Sequence, residues 1–176
     1  MELTRKQKAT KYFFYCLMII AADLLQNTPG LFPQIFGARC LLLIPIAIIL
    51  TIGEDAFVGT LFGLFAGLLW DLTGAVHLGF NCIFIAVICF LSCAFVNFIA
   101  RDTLITNIFS SAIAIALYCL LYWLLFIIIK GVDGGEMTLF SFYIPCAVYT
   151  IAVTPLLWLI IRPLKMKLNH ETKHDF

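Results

Sequence analysis

Between Gly53 and Phe80 the chain reads GEDAFVGTLFGLFAGLLWDLTGAVHLGF, and within it Gly59, Gly63, Gly67 and Asp71 recur at steps of four. On a helix that spacing makes one slowly rotating stripe, with leucine, phenylalanine and tryptophan covering the other sides. In water each glycine would cost such a helix roughly 1 kcal/mol relative to alanine. In lipid, small residues at i and i+4 let a second helix approach backbone to backbone. The stripe therefore predicts a packing seam, either a plain helix contact or one that also shapes a pocket or partner site.

Only a membrane protein fits the composition around it. The 176 residues are 63% hydrophobic and 12% charged, with a mean hydropathy of +1.06, too few polar groups to cover a soluble globule of this size. Backbone groups in lipid must bond within helices or a closed barrel, and the apolar runs are continuous rather than alternating, which selects helices. The net charge of +1 carries no nucleic-acid footprint, because the basic residues form short clusters beside hydrophobic runs. The seven cysteines lie in or beside those runs without C-x-x-C spacing and read as small apolar fillers. Arg5, Lys6, Lys8 and Lys11 precede the first run as in a signal peptide, but the run is long and further spans follow at once, so it is read as a span.

Six transmembrane helices are expected, at about residues 12–26, 38–52, 55–72, 78–100, 104–129 and 139–161, forming a single transmembrane domain closed by a basic tail over 162–176. Pro45 in the middle of the short second span predicts a kinked or tilted helix surrounded by protein, and Pro145 and Pro155 in the sixth predict kinks. Gly53 marks a tight turn, Glu54 and Asp55 place negative charge at the start of the third span, and Asp102 or Thr103 can cap the fifth. With six spans, Arg5, Lys6, Lys8, Lys11, Arg101, Arg162, Lys165, Lys167 and Lys173 fall on one side, leaving Arg39 and Lys130 on the other. The positive-inside rule then predicts that both termini are cytoplasmic.

Carboxylates inside spans are the candidate functional groups. Asp23 lies about 18 Å along its helix from Lys11, at 1.5 Å per residue, and needs a partner or a proton. Asp71 stands near the outer interface, and each aspartate is read as a proton relay, a substrate contact or an internal bond that fixes packing. Asn81 and Asn97, with Ser92, are expected to bond between helices, a contact worth typically about 0.6 kcal/mol, and Gln26 is a further intramembrane or interfacial polar group. Asp23, Arg39, Asp71 and His77 all gather toward the outer face, where an ion pair or network among them is geometrically open. His170, Glu171 and His174 spell H-E-x-x-H, but in a polar tail without a third ligand or a pocket they predict no zinc site. No P-loop, dinucleotide fingerprint or nucleophile–base–orienter constellation is present, so neither an enzyme nor a cofactor is expected.

The run from Gly59 through Gly63, Gly67, Trp70 and Asp71 to Leu72, followed by a short loop and Leu78-Gly79, resembles the central signature of the rod shape-determining MreD family. The Asp23–Gln26 end of the first span, the basic N-terminus and the short second span are similar too, and the likeness is sharpest from Gly53 to Gly79. The resemblance implies a six-helix fold similar to the substrate-binding (S) components of energy-coupling-factor vitamin transporters. It further implies a non-enzymatic protein of the bacterial inner membrane that links a single-span MreC partner, MreB filaments and peptidoglycan synthases during cell elongation. The shared fold leaves a vitamin-transporter S component as the alternative function. A scaffold of this kind would work by laying a partner helix on an apolar or small-residue face, with lipid covering the remainder.

Overall fold

The computed structural model describes residues 5–28, 40–74, 77, 79–129 and 135–170, and among them helix is the only regular secondary structure. Helix α1 spans Arg5–Asn27, α2 Leu43–Thr51, α3 Ala56–Thr73, α4 Phe80–Phe98 and α5 Leu104–Trp123, which runs on into a π-helical turn at Leu124–Ile128. A short α6, Gly135–Thr138, and a second π-helical turn, Leu139–Tyr143, lead into α7, Ile144–His170. Five of these stretches, Lys6–Asn27, Ala56–Thr73, Phe80–Phe98, Leu104–Ile128 and Leu139–Leu168, are long and apolar enough to cross a membrane. The chain is a multi-pass, all-α membrane protein.

The second expected span differs from the other five. Helix α2 has 9 residues and so rises about 14 Å, half of a hydrocarbon core of about 30 Å. Every residue of α2 is buried, and it touches α1, α3, α4, α5 and α7, so it is the hub of the bundle. A helix apolar on all sides has to be surrounded, and here five long helices surround it. The enclosure by protein is as expected, but Pro45 stands in the first turn rather than the middle, because the helix begins at Leu43, and there its missing N–H has no intrahelical partner to lose.

Contacts at the helix ends fix the chain direction. Lys11 pairs with Glu54, Asn97 Nδ2 donates to the Glu54 carbonyl at 2.9 Å, and Lys165 meets Asp102 at 3.3 Å, so these residues share one end, the basic end. At the far end Thr73 Oγ1 donates to Asp23 at 3.1 Å, Asn81 bonds Asp71 at 2.9 Å, and the rings of Tyr122 and Tyr143 lie 6.1 Å apart. The five long helices and α2 therefore alternate in direction along the chain, and the first and last described helices begin and finish at the basic end.

Burial follows helical periodicity. On α1, Lys11, Tyr15, Ile19, Ala22 and Asp23 form the inward stripe, while Phe13, Leu17, Ile20 and Leu24 face out. On α3 the inward side is Gly59, Phe62, Gly63, Ala66, Gly67 and Trp70; Phe57, Leu61, Leu64, Leu68 and Leu72 cover the outward side. Helix α7 continues past the expected end of its span, and its buried stripe runs Cys146, Thr150, Thr154, Trp158, Ile161 and Lys165. The stretch 162–168, expected to belong to a basic tail, is thus helix, with Lys165 packed in the interior.

Candidate functional site

The glycine stripe is filled by α4 of the same chain. An added methyl group on Gly63 would stand 2.8 Å from both the Ala86 Cα and the Ile85 carbonyl oxygen, and one on Gly67 would stand 2.5 Å from the Asn81 carbonyl oxygen and 2.7 Å from the Cys82 nitrogen. One on Gly59 would strike the Cys93 thiol, with the nearest backbone atom, the Cys89 carbonyl oxygen, at 3.6 Å. Cys82, Cys89 and Cys93 therefore mesh with Gly67, Gly63 and Gly59, and all seven cysteines are free thiols.

Asp71 closes this hairpin at the far end. Its Oδ2 accepts from the backbone N–H of Gly79 at 2.9 Å and of Cys82 at 3.0 Å, and its Oδ1 accepts from Asn81 Nδ2 at 2.9 Å. A side chain from the end of α3 thus satisfies amides of the first turn of α4, where the helix dipole favours a negative group. Gly79, at φ 90°, supplies the left-handed residue that turns the chain into α4. Asn81 passes the network on: its Oδ1 accepts from Tyr118 Oη at 2.9 Å, and the Tyr118 ring stacks on Trp70 at 5.3 Å between centroids. Asp71, Asn81, Tyr118 and Trp70 bind α3, α4 and α5 into one unit.

Asp23 makes a separate tie. Its Oδ1 accepts from Asn27 Nδ2 at 2.8 Å and from Thr73 Oγ1 at 3.1 Å, and Asn27 also donates to Thr73 at 2.8 Å, locking the end of α1 to the end of α3. Gln26 Oε1 accepts from the Leu43 amide at 3.0 Å and so caps α2 from α1. Of the expected network of Asp23, Arg39, Asp71 and His77, the two aspartates bond different partners and His77 stacks on Phe126 at 3.7 Å between centroids, while Arg39 lies outside the described residues. Glu171 and His174 of the H-E-x-x-H spelling also lie outside them, and no three metal-ligating side chains cluster among those described.

The basic end has its own ties, which the sequence reading did not single out. Glu54 accepts from Lys11 and, at 3.2 Å, from Tyr15 Oη, so its carboxylate points to α1. Asp55 stands at the N-cap of α3 but makes no capping bond through its side chain. Thr103 does cap α5, accepting from the Thr106 amide at 3.4 Å. Lys165 Nζ donates to the carbonyls of Ile49, at 3.1 Å, and Ile52, at the C-terminal end of α2, and to Asp102. A lysine there is what the orphan carbonyls and the dipole of a helix end favour. The signal was present in the sequence: Lys165 continues the inward stripe of α7 beyond Trp158 and Ile161, just as Lys11 starts the stripe of α1.

Chemically, each described intramembrane carboxylate is held by neutral donors of its own chain, and the geometry ties helices together. Comparison of the chain with known protein families, with curated proteins and with solved structures finds no match.

Proposed function

We propose that this protein is a non-catalytic scaffold of the MreD kind. It would stand in the bacterial inner membrane with its basic end toward the cytoplasm, helping to join an MreC-like single-span protein, MreB filaments and peptidoglycan synthases in the cell-elongation machinery. One observation carries the reading: Gly59, Gly63, Gly67, Asp71 and Gly79, five of the residues that make the resemblance, act in closing the α3–α4 hairpin. With the glycine stripe and Asp71 turned inward, α3 and α4 present exposed apolar side chains outward, Phe57, Leu61, Leu64 and Leu68 on α3 and Ile83, Val87 and Leu91 on α4. Such an exterior suits lateral contact with partner helices, where close packing supplies the specificity.

Native co-purification from the source membrane tests this. Recovery of a single-span coiled-coil protein, together with rounding of rod-shaped cells on depletion, is the expected outcome. Recovery of paired ATPase subunits and a bound vitamin, with cell shape unchanged, would replace the scaffold by the transporter S component.

A further inference from the structure

At the basic end a cavity of about 260 Å³ opens between α2, the loop that joins α4 to α5, and α7, lined by Ile49, Asp102, Trp158, Arg162, Lys165 and Met166. Its two cations are unequal. Lys165 is buried, and its three ammonium hydrogens are matched by three acceptors, the carbonyls of Ile49 and Ile52 and the carboxylate of Asp102. It contributes charge to the cavity and no free donor. Arg162 is exposed, its guanidinium carbon 4.4 Å from the centroid of the Trp158 ring, and among the described residues it has no carboxylate partner. Packing against the indole positions a five-donor fork whose donors are unclaimed among the described residues.

We infer that this cavity binds the phosphate of an anionic phospholipid headgroup, with Arg162 as its bidentate donor and Lys165 as buried supporting charge. A planar guanidinium matches two phosphate oxygens in a way that an ammonium does not. Leu159, one turn before Arg162 on the same side of α7, is exposed and supplies an apolar surface for acyl chains below the headgroup. Cations also exceed carboxylates at this end, where Lys6, Lys8, Lys11, Arg101, Arg162, Lys165 and Lys167 outnumber Glu54, Asp55 and Asp102 among the described residues. That excess favours an anionic over a zwitterionic headgroup. The inference needs only the membrane setting and is independent of what the bundle scaffolds.

Native mass spectrometry of the full chain in detergent tests it with phosphatidylglycerol, phosphatidylcholine and inorganic phosphate as separate probes. Phosphatidylglycerol is expected to bind more tightly than phosphatidylcholine, and Arg162→Gln to weaken it about tenfold through loss of charge-assisted bonds. Lys167→Gln, on the exposed side of the same helix, is expected to weaken it less than about threefold. Arg162→Lys keeps the charge without the fork and is expected to fall between Arg162→Gln and the unaltered chain; it also serves if the glutamine variant is poorly folded. Equal affinity for the two lipids, or equal losses in Arg162→Gln and Lys167→Gln, would overturn the site. Retention of inorganic phosphate without phosphatidylglycerol would overturn its assignment to a lipid.

Discussion

At Gly67 an added methyl group would meet backbone atoms of Asn81 and Cys82, at Gly63 those of Ile85 and Ala86, and at Gly59 mainly the Cys93 thiol. Backbone in a close helix pair cannot step aside, whereas a thiol can turn to another rotamer. Gly63→Ala and Gly67→Ala are each expected to lose about 1–3 kcal/mol by overpacking, read as a lower melting temperature in detergent. Gly59→Ala is expected to stay within about 1 kcal/mol of the unaltered chain, because alanine's helix propensity offsets the thiol's displacement. Three equal shifts would show that α4 does not sit in the stripe. The two aspartates separate in the same way. Asp71 uses both oxygens as acceptors toward three donors, so the amide group of Asp71→Asn would face an N–H and leave it unsatisfied. A loss of about 1–3 kcal/mol is expected there. Asp23 accepts through Oδ1 alone, which asparagine also possesses, and Asp23→Asn is expected to change stability by less than about 1 kcal/mol. Thermal unfolding of the two variants side by side checks the order, and a larger loss at Asp23 would refute it.

Among the elements, the α3–α4 hairpin was the most legible in the sequence, because glycine spacing names both the face that packs and how closely it packs. The groove's occupant was not legible: a stripe of small residues fits any helix, and it took Cys82, Cys89 and Cys93 lying opposite to identify α4 of the same chain. Helix α2 was read as a span because LLLIPIAIIL is apolar throughout, and a run with no polar side carries no period from which to infer its length, neighbours or depth. Its hub position also explains why the residues at its ends were missed as a set. Gln26 and Lys165 stand far from α2 in sequence, yet they close its two ends. Removing the C-terminal closure with Lys165→Met would leave the Ile49 and Ile52 carbonyls unpaired in the interior. A drop of about 1–3 kcal/mol is expected. Lys167→Met, two residues on and exposed, is expected to stay within about 0.5 kcal/mol of the unaltered chain. Thermal unfolding of the two variants measures the difference, and equal shifts would mean that Lys165 does not hold α2.

For the whole molecule the open quantity is how often the chain crosses the bilayer, and α2 decides it. At about 14 Å the helix cannot span a hydrocarbon core of about 30 Å by itself. Yet Gln26, at the far end of α1, caps its start, and its last turn lies beside Lys165 at the basic end, so this stretch carries the chain from one end of the bundle to the other. Irregular backbone in a membrane is tolerated where protein encloses it, as at the buried Cys40 and Leu42 before α2. Counting α2 gives an even number of passes and puts both termini on one side; treating it as a re-entrant plug gives five and puts them on opposite sides. The ties favour the even count, because Lys11 near the start and Lys165 near the finish both bond partners at the basic end. A fluorescent reporter that matures only in the cytoplasm is therefore expected to light up when fused before Met1 and when fused after Phe176. Inserted after Asp133, between α5 and α6, it is expected to stay dark. Fluorescence from only one of the two termini would mean that α2 dips into the membrane and returns, and the positive-inside assignment of the basic end would fall with the six-pass count.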